Sequence, residues 1–235
     1  MRKGYLLFHG GDAFTPKNKQ ADHDWLKLMR RGETKPRLVV LPAAAMNQPH
    51  KIAQDVSGYY GNIGTFAEYT LITDPQAANS EPETLMLDKV DAIVLTDGSP
   101  IDLVERLRGT RAEAALRRAL DRKAAVLGAG ASATALGAVY WFANEWEHGL
   151  GLAPHLAVLP HHNLLRMRLA PDRLLAGLPD GVTLMGVDQD TILVWMPDDS
   201  YRVLGEGLVT VYRGPEDLIE YAPGRTFRLE DAPPA

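Results

Sequence analysis

The stretch from Lys123 to Gly137, KAAVLGAGASATALG, constrains the fold more than any other part of the chain. A short apolar run over 124–127 predicts a buried strand, and the glycines that follow predict a sharp turn into a helix over 133–138. Ser132 falls at this turn, where a hydroxyl can be held at the end of a strand beside free N–H groups of the helix. The alternative interpretation is a Gly/Ala-rich turn that only packs a helix closely on a sheet.

Apolar runs elsewhere in the chain predict further buried strands, and amphipathic segments predict helices between them. The predicted strands are 4–8, 37–41, 69–72, 90–95, 156–160, 182–187, 191–195, 201–204 and 208–212. The predicted helices are 17–31, 51–60, 101–107 and 111–123. Because strands that are apolar throughout and alternate with helices are typical of parallel sheets, we expect an α/β fold of three layers. It has a mostly parallel sheet with helices on both faces, and Gly205-Glu206-Gly207 predicts an antiparallel hairpin at its C-terminal end.

The length of 235 residues fits one domain over 1–235. Residues 74–84 are polar with two prolines, which favours a surface loop over a linker between domains. Residues 222–235 contain three prolines and are predicted to fray as a tail.

Small residues follow several of the predicted strands where each strand ends. Gly10-Gly11 follows the first strand, Thr96-Asp97-Gly98-Ser99-Pro100 follows the strand over 90–95, and Ser132 follows the strand over 124–127. In open parallel sheets the ligand site lies beyond the carboxyl ends of the strands. We therefore expect these residues to meet at one edge of the sheet.

Composition excludes several functional classes. The net charge of −5 and the pI near 5.8 provide no basic field for nucleic acid or an anionic membrane. The absence of cysteine excludes disulfides, thiol catalysis and thiolate metal sites. The apolar run at the N-terminus stops at His9, which is too short for a signal peptide or a membrane span. We expect a soluble, cytoplasmic protein without nucleic acid or membrane partners.

Neither a metal nor a cofactor is expected. The histidines at 148, 155, 161 and 162 lack a metal-ligand spacing such as His-Glu-x-x-His. Gly10-Gly11 lacks the remaining glycine of a dinucleotide-binding fingerprint.

The order of these motifs resembles the cyanophycinase and peptidase S51 (dipeptidase E) group, which has the class I glutamine-amidotransferase-like fold. The matching stretches are LTDGSPIDL (95–103), GASA (130–133), GLGLAPHLAVLPHH (149–162) and GVDQDT (186–191), and together they cover the chain from Gly10 to about Tyr212. Each stretch is common by itself. Their order and spacing are what make the resemblance specific.

The resemblance implies acyl transfer with a serine nucleophile. Ser132 matches the nucleophile, and His161, after Pro160, matches the general base. The N–H groups of Gly98 and Ala133 match the oxyanion donors, which stabilise the tetrahedral intermediate.

Other residues around this centre match the family less well. Asp97 and Ser99, beside Gly98, are expected to line the binding site, and the family usually has glycine at the position of Asp97. The stretch around Asp188 also matches, but cyanophycinases have glutamate where this chain has Gln189, which would orient the imidazole without stabilising its charged form. Thr134 replaces the second glycine of the elbow.

An alternative alignment puts Gly130 at the nucleophile position, where no hydroxyl would remain. We prefer Ser132, because Gly130-Ala131-Ser132-Ala133 then matches without a gap.

Two functional hypotheses follow. The first is a serine hydrolase that acts on a small peptide or amide. The second is a catalytically degenerate member that binds a small ligand or a partner in the same cleft, as Asp97, Thr134 and Gln189 would suggest. A glutaminase-type amidotransferase is disfavoured because those enzymes use a cysteine. The resemblance is compatible with a homodimer.

Overall fold

The computed structural model describes residues 3–30, 34–166, 168 and 170–230. Within them the strands are β1 Tyr5–His9, β2 Arg37–Leu41, β3 Phe66–Tyr69, β4 Ala92–Leu95, β5 Ala125–Ala129, β6 Gly137–Phe142, β7 Glu145–His148, β8 Ala153–Leu159, β9 Thr183–Val187, β10 Thr191–Trp195, β11 Tyr201–Gly205, β12 Val209–Tyr212, β13 Leu218–Tyr221 and β14 Thr226–Phe227. The helices are α1 Lys19–Met29, α2 Pro49–Asn62, α3 Pro75–Ala78, α4 Glu81–Asp88, α5 Pro100–Leu107, α6 Arg111–Asp121, α7 Ala131–Ala135, α8 His162–Leu165 and α9 Pro171–Ala176. A short 3₁₀ helix, Pro16–Asn18, precedes α1.

Eight strands form the central sheet, in the order β14-β11-β10-β1-β5-β4-β2-β3. The five strands from β1 to β3 in this order are parallel to one another. The three C-terminal strands β10, β11 and β14 add antiparallel pairs on the other side of β1. The predicted α/β class, with a mostly parallel sheet and an antiparallel C-terminal part, is confirmed.

Helices cover both faces of the central sheet, as predicted. Successive strand residues point to opposite faces, so each face of a buried strand needs its own apolar cover. Leu7 packs with Trp25 of α1 and Tyr60 of α2 on one face. Phe8 packs on the other face in the cluster that contains Leu116 of α6. None of the helices in the described part of the chain is long and apolar enough to cross a membrane.

A second sheet of six strands, in the order β13-β12-β9-β8-β6-β7, packs beside the first. In it β6, β8 and β9 are parallel, and the outer strands are antiparallel. Leu156, Met185 and Val209 of this sheet belong to the same apolar cluster as Phe8. The two sheets therefore share one core, an arrangement that the strand pattern did not predict.

The predicted hairpin between 201–204 and 208–212 is wrong. The two segments form β11 and β12, which lie in different sheets, because the turn at 206–208 carries the chain from one sheet to the other. Each strand instead forms antiparallel pairs within its own sheet. Strand β11 pairs with β10, and β12 pairs with β9 and β13. A glycine-rich turn alone therefore did not specify which strands pair.

Three further boundaries differ from the predictions. The polar segment 74–84 is helical in part, because the Asp74 side chain accepts a hydrogen bond from Ala77 N–H and caps α3. The strand expected at 69–72 is β3, three residues earlier. The helix expected over 133–138 is α7, and Gly137 already begins β6.

The described part of the predicted tail, residues 222–230, contains a short strand. Thr226 and Phe227 form β14, which pairs with β11, so the expected fraying does not apply to them. Residues 231–235 of that tail, and Arg31 at the expected end of the first helix, lie outside the described residues.

Candidate functional site

The turn between β5 and α7 is built around Gly130. Gly130 has φ +50° and ψ −114°, a backbone conformation that is strained for a residue with a Cβ atom. It is the first residue after β5, and its N–H donates to His9 O at 2.9 Å. A nucleophile at a strand-turn-helix elbow occupies such a strained position, so residue 130 has the backbone geometry of an elbow residue.

Ser132 does not present its hydroxyl to the cleft. The residue has no exposed surface, and its Oγ donates a hydrogen bond of 2.5 Å to the carbonyl oxygen of Thr96. It lies two residues into the turn, on the side of α7 that faces the interior. The expectation that this hydroxyl projects towards the imidazole of His161 is wrong, because the strand continues to Ala129, past the predicted end at 127.

The carboxylate of Asp97 occupies the place expected for an oxyanion. Its Oδ1 atom accepts hydrogen bonds from Gly98 N–H at 2.7 Å and from Ala131 N–H at 2.8 Å. At an elbow, the residue after the nucleophile and a neighbouring loop supply the two oxyanion donors. The N–H groups at the corresponding positions are those of Ala131 and Gly98, and Oδ1 of Asp97 accepts a hydrogen bond from both.

The expectation that Ala133 N–H is an oxyanion donor is wrong. Ala133 N–H donates to Gly130 O at 2.9 Å and belongs to the first turn of α7. Its partner is the backbone, so no donor remains there for a ligand.

Gly130 and Asp97 fit together closely. A Cβ atom added to Gly130 would lie 2.3 Å from Cγ, Oδ1 and Oδ2 of Asp97. Real Cβ atoms do not approach other atoms this closely, so a side chain at 130 requires the carboxylate to move. The carboxylate therefore fills the space that an elbow side chain would need.

His161 lies at the rim of the same cleft. Its backbone is left-handed, with φ +52°, and its N–H donates to Gly10 O at 2.6 Å. Its ring packs on Gly11, where an added Cβ would lie 2.1 Å from the ring. The Gly10-Gly11 turn thus provides the surface on which the imidazole rests.

His9 is buried near His161. Its Nδ1 accepts a hydrogen bond from Gly11 N–H at 3.2 Å, and its Nε2 has no hydrogen-bond partner. Burial lowers the pKa of His9 to about 4, and the nearby His161 lowers it further while Asp190 raises it. His9 is therefore a neutral imidazole at neutral pH.

The amide of Gln189 does not orient His161. Its Nε2 donates to Asp12 Oδ2 at 2.6 Å, and its Oε1 accepts from Asn163 Nδ2 at 3.0 Å. Within the described residues the ring of His161 has no side-chain hydrogen-bond partner. The third member of a triad, expected at Gln189, is wrong for this geometry.

Asp188 contacts the neighbouring histidine instead. His162 Nδ1 lies 3.2 Å from Asp188 Oδ1, and His162 Nε2 lies 2.7 Å from the hydroxyl of Tyr212. Burial alone would raise the pKa of Asp188, but the hydrogen bonds from His162 and from Leu208 N–H hold that pKa below its ordinary value. Asp188 thus holds the His161-His162 segment through its contact with His162, and it does not line the cleft.

The remaining predicted residues have identifiable positions. Ser99 caps α5, because its Oγ accepts a hydrogen bond from Asp102 N–H at 3.2 Å. Thr134 lies at the cleft, and its buried Oγ1 has no hydrogen-bond partner.

A cavity of about 610 Å³, here named the Asp97 cavity, opens beside the elbow. Its lining includes Asp97, Thr134, Trp141, Phe142, Asn144 and His161. The aromatic residues come from the β6–β7 hairpin, which the sequence analysis did not predict. The Asp97 cavity therefore combines one carboxylate, one imidazole and an aromatic wall. The part of the chain that the structure describes contains no group of three or more His, Asp or Glu side chains arranged to hold a metal ion.

Comparisons with known proteins point to peptidases. The model of peptidase family S51 matches residues 6–194 of the chain. The crystal structure of a peptidase from an acI-B1 actinobacterium has a TM-score of 0.84 at 18% sequence identity, with 97% of each chain covered. That of a candidate peptidase E protein from Listeria monocytogenes EGD-e has a TM-score of 0.59 at 13% identity, covering 93% of this chain and 98% of the other. No curated protein matches the sequence.

Proposed function

The chain belongs to peptidase family S51, and we propose that its cleft binds a small peptide- or amide-like ligand without hydrolysing it. One observation carries this proposal. The elbow residue is glycine, and the carboxylate of Asp97 accepts both N–H groups that an oxyanion would need. The cleft is present, but it lacks a nucleophilic side chain at residue 130, and a carboxylate occupies the N–H groups that would bind the oxyanion.

Hydrolysis through an acyl-enzyme needs a nucleophile within reach of a general base. Gly130 has no side chain, and the hydroxyl of Ser132 is buried and bonded to Thr96 O. His161 has no hydroxyl partner within the described residues. The base is therefore present without a group to activate.

The Asp97 carboxylate also opposes stabilisation of the transition state for hydrolysis. Loss of one oxyanion donor typically lowers kcat by about 10²–10³-fold. Here both donors are already bonded to a carboxylate, whose negative charge would also repel a developing oxyanion.

Membership in a peptidase family favours a competing function, peptide hydrolysis. It would require Asp97 to leave the two N–H groups and another nucleophile, such as water, to be activated by His161. Labelling of the purified protein with a fluorophosphonate probe, together with assays on a dipeptide library, separates the two functions. We expect neither labelling nor turnover. Labelling that disappears in Ser132→Ala would support the hydrolase and contradict the proposal.

A gain-of-function variant tests the assignment of the elbow. In Asp97→Gly/Gly130→Ser the carboxylate is removed and a hydroxyl is introduced at the strained position. We expect fluorophosphonate labelling that maps to position 130 by mass spectrometry, because a hydroxyl then lies beside two N–H groups that the carboxylate no longer occupies.

Two matched variants control this experiment. Gly130→Ser alone should label weakly, because its Cβ would overlap the Asp97 carboxylate. Ser132→Ala in the double variant should leave the labelling unchanged. Labelling that requires Ser132 would show that position 130 is not the elbow.

A further inference from the structure

Asp97 lines the cavity, and within the described residues its carboxylate has one oxygen, Oδ2, without a hydrogen-bond partner. Oδ1 accepts both backbone N–H groups of the elbow. Within the described residues Asp97 makes no ion pair, and no hydrogen bond is found at Oδ2. The backbone thus holds the carboxylate in place, and no lysine or arginine of the described residues forms an ion pair with it.

The lining of the Asp97 cavity places aromatic and aliphatic side chains around this charge, together with the polar side chains of Thr134, Asn144 and His161. Among the described residues no lysine or arginine lines the cavity, and Asp97 is the one carboxylate in its lining. Trp141 and Phe142 both line the cavity, and Phe142 is 47% exposed. Aromatic faces attract organic cations, and a carboxylate in such a surround pairs best with a positive group.

We infer that the ligand of this cleft carries a protonated amine or a guanidinium group, which contacts Asp97 Oδ2 against the wall of Trp141 and Phe142. The inference rests on the proposed function, which assigns ligand binding to the same cleft. It also reverses the charge preference of an oxyanion site. Because Oδ1 has taken both N–H donors, an incoming ligand meets a carboxylate oxygen, so an anionic group is repelled.

Isothermal titration calorimetry on the full chain tests the inference with four probes. L-argininamide supplies a guanidinium, putrescine supplies amines, N-acetylglycinamide is neutral and succinate is anionic. We expect saturable binding of at least one cationic probe, and tighter binding of that probe than of N-acetylglycinamide or succinate. The guanidinium and amine arms distinguish the two cationic groups. Binding of succinate or N-acetylglycinamide in preference to both cations, or no saturable binding of either cation, would overturn the inference.

Substitutions in and outside the Asp97 cavity test where the cationic probe binds. Asp97→Asn keeps an oxygen that can accept the two N–H bonds but removes the charge, and should weaken the cationic probe about tenfold or more. Asp55→Asn, an exposed residue of α2, changes the net charge equally and should leave affinity unchanged. Phe142→Leu should weaken binding roughly two- to fivefold through the lost cation–π contact. Equal affinity in Asp97→Asn and in the parent protein would contradict the inference.

The outcome of this experiment can be distinguished from the outcome of the test of the proposed function. Binding of a cationic probe by a protein that also turns over peptides would sustain the inference and contradict the absence of hydrolysis. Absence of both labelling and cation binding would contradict the inference and leave the loss of hydrolysis supported.

Discussion

Ser132 and Gly130 lie two residues apart, but the structure gives them opposite environments. Ser132 is enclosed by protein and links α7 to the end of β4 through Thr96 O. Gly130 adopts the strained elbow conformation beside the cavity. A small-residue run such as GAGASA permits either alignment, and the length of β5 decides between them. The alignment that retains a hydroxyl was preferred from the sequence, and it is the one that the structure contradicts.

Substitution of Ser132 by alanine should affect stability alone. The variant leaves Thr96 O without its buried donor, so we expect the free energy of unfolding to fall by about 1–2 kcal/mol in urea denaturation. Ligand affinity in the cleft should not change. Ser80→Ala is the matched control, because Ser80 precedes α4 without a side-chain capping bond and should change stability by less than about 0.5 kcal/mol. An unaltered stability of Ser132→Ala would contradict a structural role for the hydroxyl.

At the scale of elements, the β6–β7 hairpin supplies the aromatic wall of the cavity. Trp141 lies directly opposite Trp146 in the register, with ring centroids 5.0 Å apart, and Trp146 Nε1 donates to Leu174 O at 2.8 Å. Cross-strand aromatic pairs of this kind stabilise hairpins. The turn consists of Ala143 and Asn144, both with positive φ, as in a type I′ turn. The absence of Asn-Gly or Asp-Gly at this turn removed the sequence signal that would have predicted it.

The turn residue Ala143 offers a test of this geometry. Ala143 has φ +48°, a left-handed conformation that asparagine tolerates better than alanine does. We expect Ala143→Asn to raise the free energy of unfolding by about 0.5–1 kcal/mol, and Ala143→Val to lower it by about 1 kcal/mol. Guanidinium denaturation of the three proteins measures both changes. The opposite order of the two variants would show that the turn is not left-handed at 143.

For the molecule as a whole, two buried titratable groups lie in different parts of the core. Asp22 of α1 accepts hydrogen bonds from Tyr59 Oη at 2.6 Å, from Trp25 Nε1 at 2.7 Å and from Tyr60 Oη at 3.3 Å. Burial raises the pKa of Asp22 from 3.8 to about 6, although these hydrogen bonds lower it in part. His9 is the opposite case, because burial lowers its pKa from 6.5 to about 4.

The two groups give the fold opposing dependences on pH. Between about pH 4 and 6 the folded protein keeps a proton on Asp22 that the unfolded chain loses, so this group lowers stability as the pH rises. Between about pH 6.5 and 4 the unfolded chain binds a proton at His9 that the folded protein does not, so this group lowers stability as the pH falls. Each contributes about 3 kcal/mol across its window. The two contributions therefore nearly cancel.

Substitution of either group should expose the dependence on the other. Relative to the parent protein, Asp22→Asn should lose about 3 kcal/mol of unfolding free energy between pH 6.5 and pH 4, because only His9 then responds. His9→Gln should instead lose a similar amount between pH 4 and pH 6. Urea denaturation at a series of pH values measures both slopes, and the double variant is the control, with the parent's profile. Equal profiles in Asp22→Asn and the parent protein would contradict the raised pKa of Asp22.

Much of the fold could be predicted from local patterns. The apolar runs located most of the strands of the central sheet, and the motif order indicated the family that the match over 6–194 shows. Three strands of the second sheet, β8, β9 and β12, coincide with predicted strands, but their apolar patterns did not indicate that they form a separate sheet. The strands β6, β7 and β13 were not predicted. The pairing of β11 and β12 was wrong for a similar reason, since a turn does not encode the sheet to which each strand belongs.

The sequence by itself determined where buried strands form and that their carboxyl ends meet, because burial imposes an apolar pattern that each segment carries on its own. Only the tertiary structure decided which residue occupies the elbow and where the carboxylate of Asp97 points. That carboxylate reaches the N–H of Ala131 across 34 positions of the chain, and Ser132 reaches Thr96 across 36. Such bonds depend on the register of whole strands and helices, which no local pattern specifies.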